Sequence, residues 1–137
     1  MKKWIIACIV LLLNATAAVA EDAAAKTQAC QACHGANGVS SNPQWPNLAG
    51  QNARYLATQI RAFRDGERAN PAMAPFVASL TDADVEAIAE YYAAMEITVT
   101  ANGDAALVAT GENLRSYCIG CHGMHGRPAT DAWPVLV

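Results

Sequence analysis

The chain lacks an excess of basic residues. Nine Lys and Arg stand against twelve Asp and Glu, a balance that disfavours a nucleic-acid partner. It also lacks a strand pattern of useful length outside Ile97–Thr100, which leaves an all-α fold class. After its first twenty residues there is no further apolar run of membrane length, so no stable membrane span is expected in the mature chain. What it does have is cysteine, five in 137 residues.

The N-terminus accounts for one of the five. Lys2 and Lys3 precede an apolar run from Trp4 to Leu13, and Ala18-Val19-Ala20 is a small-x-small cleavage site. This pattern predicts a signal peptide over residues 1–20, cut after Ala20 and removed together with Cys8. A lipid-anchored Cys8 is the poorer reading, because only four apolar residues, Trp4 to Ala7, precede it while the stretch after it stays hydrophobic. The mature chain would keep seven basic and twelve acidic side chains, a net charge of −5. Its four remaining cysteines would meet an exported compartment, where paired thiols usually become disulfides.

Those four fall into two copies of one motif. Cys30-Gln-Ala-Cys33-His34-Gly35 is matched by Cys118-Ile-Gly-Cys121-His122-Gly123 at an offset of 88 residues, and the register then holds without a gap. Gly38 falls on Gly126, Trp45 on Trp133, Pro46 on Pro134 and Leu48 on Leu136. The second copy ends at Val137, the counterpart of Ala49, so residues 50–95 of the first copy have no equivalent. A repeat of this length marks a duplicated module.

The first copy reads as helices joined by turn-rich loops. Ala23 to about Cys33 is Ala-rich and helical by propensity. Residues 35–50 hold enough Gly, Pro and Asn to form a loop that something other than regular hydrogen bonding must fix. Asn52 is expected to cap a second helix carrying Leu56, Ile60 and Phe63 on one face and ending at Asp65-Gly66. An irregular stretch, Asn70 to Pro75, comes next. Thr81 with Asp84 forms a capping box for a third helix, whose apolar face is Val85, Ile88, Ala89, Tyr92 and Met95. The acidic residues of that helix, Asp82, Asp84, Glu86 and Glu90, are expected to form a solvated face. After a linker, Ala105 begins the helix that delivers the second motif.

Cys-x-x-Cys-His is the attachment signature of c-type haem. Cysteines at i and i+3 share one face of a helical turn, where each can bond one vinyl group of a porphyrin. The following His then lies where its imidazole reaches the iron from the same side. A disulfide within each pair would leave both histidines unexplained. A four-Cys zinc site separates its pairs by roughly 15–20 residues, whereas 84 residues lie between Cys33 and Cys118. A thioredoxin-like redox pair needs a βαβ setting that the helical pattern denies. A second iron ligand must come from the opposite face, and Met raises the reduction potential. Met95 falls on the apolar face of the third helix and reads as core. Met124 is too close to His122 to cross a haem plane, and Met73, in the Pro-bracketed loop, is the choice for the first haem. His125 is a poor sixth ligand for the second, since it lies three residues from His122 on the same side.

At these residues the chain resembles class I cytochromes c, and more closely the dihaem cytochrome c4 family of exported bacterial electron carriers. The likeness rests on the two Cys-x-x-Cys-His-Gly motifs, on Trp45-Pro46-Asn47-Leu48-Ala49-Gly50-Gln51, on Tyr55-Leu56, on Met73-Ala74-Pro75, and on Ser79-Leu80-Thr81-Asp82-Ala83-Asp84 leading into Ala89-Glu90-Tyr91-Tyr92. It implies a haem module over residues 21–96, a linker over 97–104 and the N-terminal part of a second module over 105–137. It implies covalent haem c on Cys30 and Cys33 and on Cys118 and Cys121, with His34, Met73 and His122 as axial ligands. It makes the Pro46 carbonyl the acceptor that orients His34. It also implies a helix crossing that requires small residues at Ala23 and Gly111. Family members carry a complete second module with its own distal Met. The short end here is therefore expected to reflect an incomplete copy of a longer chain, since Trp133-Pro134-Val135-Leu136-Val137 lacks helices to pack on. A natural short form with a poorly enclosed second haem is the other explanation.

The expected function is electron transfer, not catalysis. The resemblance implies a periplasmic carrier between a quinol-oxidising complex and a terminal oxidase, with transient redox-protein interfaces. Two alternatives stay open. One is a dihaem subunit of a larger oxidoreductase such as a flavocytochrome sulfide dehydrogenase; the other is a five-coordinate second haem open to small ligands.

Overall fold

The computed structural model describes residues 23–98 and 103–136. The expected leader with its cleavage point, and residues 99–102 of the expected linker, lie outside the described residues. Helix α1 occupies residues 23–34. It is followed by α2 (Ala53–Arg64), a single turn α3 (Ala74–Val77), α4 (Asp82–Ala93), α5 (Ala105–Leu114), a 3-10 turn (Arg115–Tyr117) and α6 (Ile119–His122). No strand occurs among the described residues.

The core forms where the apolar stripes of α2 and α4 meet. Leu56 and Ala57 from α2 pack with Val85, Ile88, Ala89 and Tyr92 from α4, and Cys30, Leu48, Ile60, Leu80 and Met95 close the cluster. Burying each large aliphatic side chain contributes about 2 kcal/mol. The spacing of Val85, Ile88, Ala89 and Tyr92 is the period of one helical face, and all four are buried as that period predicts. The start of α4 is fixed locally: the Thr81 hydroxyl accepts from the Asp84 N–H at 3.2 Å and the Asp84 carboxylate accepts from the Thr81 N–H at 2.9 Å. Helix α1 brings Ala23 and Thr27 into the interior. The Thr27 hydroxyl donates to its own helix at the Ala24 carbonyl, 2.7 Å away.

Four expectations are corrected and one is refined. Asp82, Glu86 and Glu90 of α4 are exposed as a solvated face requires, but three of the four acidic residues also pair across helices. Asp84 pairs with Lys26 of α1 at 2.8 Å, Asp82 with Arg64 of α2 at 2.9 Å, and Glu86 with Arg61, so they tie three helices together. Asn52 sits at the N-cap of α2 but makes no side-chain cap hydrogen bond; its amide donates instead to the Trp133 carbonyl at 2.6 Å. The stretch after Asn70 contains the helical turn α3, begun by Pro75 near its first position, where the missing N–H costs nothing. The helix expected before the second motif breaks into α5, the 3-10 turn and α6. At Gly111 an added Cβ would meet nothing within 4 Å, so no close helix crossing explains that glycine among the described residues.

Candidate functional site

The first motif closes α1. Cys30 and Cys33 lie one helical turn apart, both partly exposed and both free thiols. Burial pushes the Cys30 thiol up from its ordinary range. His34 ends the turn and is 7% exposed. Its Nδ1 lies 2.8 Å from the Pro46 carbonyl oxygen. A carbonyl only accepts, so Nδ1 carries the proton and the lone pair of the neutral ring resides on Nε2.

A loop with little regular structure places that carbonyl. Gly35 turns the chain at φ +83°, where a Cβ would lie 2.0 Å from the Val39 oxygen, and Gly38 repeats the left-handed conformation at φ +68°. The Gly38 carbonyl then accepts from the Leu48 and Ala49 N–H groups at 2.8 and 3.1 Å. Ser40 braces the loop from within: its N–H donates to Asn47 Oδ1 at 2.8 Å and its hydroxyl to the Cys33 carbonyl at 3.3 Å.

The second motif reproduces this geometry. Gly123 and Gly126 have φ of +76° and +68°, and the Leu136 N–H donates to the Gly126 carbonyl at 2.9 Å. His122 Nδ1 lies 2.9 Å from the Pro134 oxygen, and the His122 and Trp133 rings meet edge-on at 5.9 Å. Enclosure differs sharply. No residue of α5, the 3-10 turn or α6 is buried, and Leu107, Leu114, Tyr117 and Leu136 stand exposed.

Met73 begins α3, half-buried. Its N–H is held by the Asn70 carbonyl at 3.1 Å, and Asn70 Oδ1 accepts from the Ala72 N–H at 2.9 Å. Asn70 is therefore a residue that the motifs did not single out, although Asn-Pro is a turn signal. Met95 packs against the core cluster, while Met124 and His125 are exposed.

The side chains present fit a covalently held haem. Two free thiols share one helical face, the adjacent His34 offers an Nε2 with no protein partner among the described residues, and beside Cys30 the Tyr92 hydroxyl is buried with no hydrogen-bond partner. Trp45, in the loop after His34, and Phe76, three residues beyond Met73, expose large apolar surface. A zinc site is not assembled: no group of three or more His, Cys, Asp or Glu able to hold a metal ion exists among the described residues. Nor is any described helix long and apolar enough to cross a membrane.

An all-helical chain with two such motifs, each with its histidine turned by a proline carbonyl, defines a c-type haem protein. Residues 16–91 match the family described as cytochrome C oxidase, cbb3-type, subunit III. The chain is 38% identical over 150 residues to cytochrome c4 of Pseudomonas aeruginosa, covering 99% of this chain and 74% of that one. It is 38% identical over 136 residues to a thiosulfate dehydrogenase electron acceptor of Thiomonas intermedia, covering 88% and 62%. The crystal structure of reduced recombinant cytochrome c4 from Pseudomonas stutzeri superposes with a TM-score of 0.79 at 34% identity, covering 85% of this chain and 71% of that one. The chain belongs to the cytochrome c4 family. It is a haem c protein of electron transfer, not an enzyme, and its all-α class I fold is the one read from its sequence.

Proposed function

We propose that Cys30 and Cys33 hold the first haem through thioethers, with His34 and Met73 as its axial ligands and Pro46 as the acceptor that orients His34. Cys118 and Cys121 hold the second haem, with His122 as its proximal ligand. The organisation is a module over residues 21–96, a linker over 97–104 and a second motif-bearing segment over 105–137. The observation that carries this reading is the 2.8 Å contact of His34 Nδ1 with Pro46, repeated at His122 and Pro134. It fixes the tautomer and raises the basicity of Nε2. Bound haem supplies one-electron cycling of iron between its ferric and ferrous states. Met73 would supply the sixth ligand of that iron, and partners would then exchange electrons at the haem edge through a small, transient interface.

The residues 1–20 pattern supports export to the periplasm, and the likeness to cytochrome c4 carriers supports a quinol-oxidising complex as donor and a terminal oxidase as acceptor. Intact mass after export tests the assignment: two covalent haems are expected, and a chain without covalent haem refutes it. A second reading, as an electron-accepting partner of a larger oxidoreductase, draws on the likeness to the Thiomonas intermedia thiosulfate dehydrogenase electron acceptor. Purification under native conditions separates the two: a carrier elutes alone, a subunit with its catalytic partner.

A further inference from the structure

The two loops that orient the histidines are braced by different means. In the first, Ser40 and Asn47 supply the brace from inside the loop. Their counterparts 88 residues on are Pro128 and Val135. Proline has no N–H and neither side chain has a polar atom, so the same brace cannot form. The second loop is held from outside. Gln51, just before α2, donates from Nε2 to the Val135 carbonyl at 3.0 Å and accepts at Oε1 from the Val135 N–H at 2.7 Å. One side-chain amide thus satisfies both backbone groups of Val135, as a neighbouring strand would. Asn52 grips the Trp133 carbonyl at 2.6 Å, and Arg54 pairs with Asp131 at 3.4 Å. Between Trp133 and Val135 lies Pro134, whose carbonyl accepts from His122 Nδ1.

We propose that Gln51 is a positioning residue that acts across the two repeats: by clamping Val135 it holds the Pro134 carbonyl on His122 and so sets the reduction potential of the second haem. This rests on His122 being the proximal ligand of that haem. A firm Nδ1–H to carbonyl bond gives the imidazole more anionic character, which favours the ferric state. Loosening it raises the potential. His34 has its own brace and is insensitive to Gln51.

The test is redox titration of the holoprotein carrying Gln51→Ala, after intact mass has confirmed both haems. An upward shift of the second midpoint with the first unmoved is expected. Two unmoved midpoints, or equal movement of both, overturn the proposal while leaving the haem assignment standing. Restoring the internal brace with Pro128→Ser and Val135→Asn in the Gln51→Ala background is expected to bring the second midpoint back, and failure to do so counts against it. Should Gln51→Ala lose its second haem, hydrogen exchange of the unaltered holoprotein decides. The Val135 amide should be protected roughly fivefold or more over that of its counterpart Asn47, and equal protection overturns the clamp.

Discussion

Gly38 and Gly66 both lie in the left-handed region, at φ of +68° and +82°, and differ only in what surrounds them. Replacing either with Ala costs about 1–2 kcal/mol for placing an L side chain there. At Gly66 nothing lies within 4 Å of the new methyl, so that cost is the whole effect. At Gly38 the methyl would lie 2.9 Å from the Ala49 nitrogen and 2.9 Å from the Tyr92 ring. Neither can retreat, because Ala49 N–H is bonded to the Gly38 carbonyl and Tyr92 is 1% exposed in the core. Overpacking adds about 1–3 kcal/mol. Gly38→Ala should therefore melt below Gly66→Ala by roughly 5 °C or more, at about 4–8 °C per kcal/mol for a module of this size. Thermal unfolding of the two holoproteins, followed by circular dichroism, measures the gap. Equal melting temperatures would refute the claim that the loop is wedged against Tyr92.

Met73→Ala should abolish the weak sulfur-to-iron absorption of the oxidised protein. Its survival would move the distal ligand to another methionine, Met95 first. Lys26 and then Thr81 hold the Asp84 carboxyl well below the usual carboxylate range. Because the folded value is the depressed one, this stabilisation is present above the unfolded value of about 4 and is lost as pH falls below it. The urea midpoints of the wild type and Asp84→Asn should thus converge between about pH 5 and pH 2, and a constant gap would sink the assignment. Ile88→Ala removes a side chain that is 3% exposed, and should cost about 2–5 kcal/mol in chemical denaturation. A loss under about 1 kcal/mol would mean that the α2–α4 seam collapses around the cavity.

What the amino-acid pattern revealed was local. The capping box at Thr81 and Asp84, the stripe from Val85 to Tyr92 and the turn at Asp65-Gly66 each depend on residues within a few positions of one another, and the structure has them all. The paired motifs were legible for the same reason. What escaped involves partners far along the chain. Asn52 looked like a cap because its neighbours are helical, yet its amide prefers a carbonyl 81 residues away. The ion pairs of Asp82 and Asp84 escaped because their Arg and Lys partners sit on other helices. Gln51 closes the motif that begins at Trp45, but nothing near it in sequence names its partner Val135, 84 residues on.

The glycine-paced loop takes the same shape twice, once against a packed core and once beside helices with no buried residue. The backbone turn is thus common to both copies, while its brace differs: Ser40 and Asn47 hold the first loop from within, and Gln51 and Asn52 hold the second from outside. That makes residues 30–48 a portable part, a cassette that presents a histidine in one tautomer. Grafted onto the end of an unrelated helix, with its Ser40–Asn47 brace intact, it should carry that orientation with it; a duplicate that lacks the brace, as the second copy does, must be held by its neighbours.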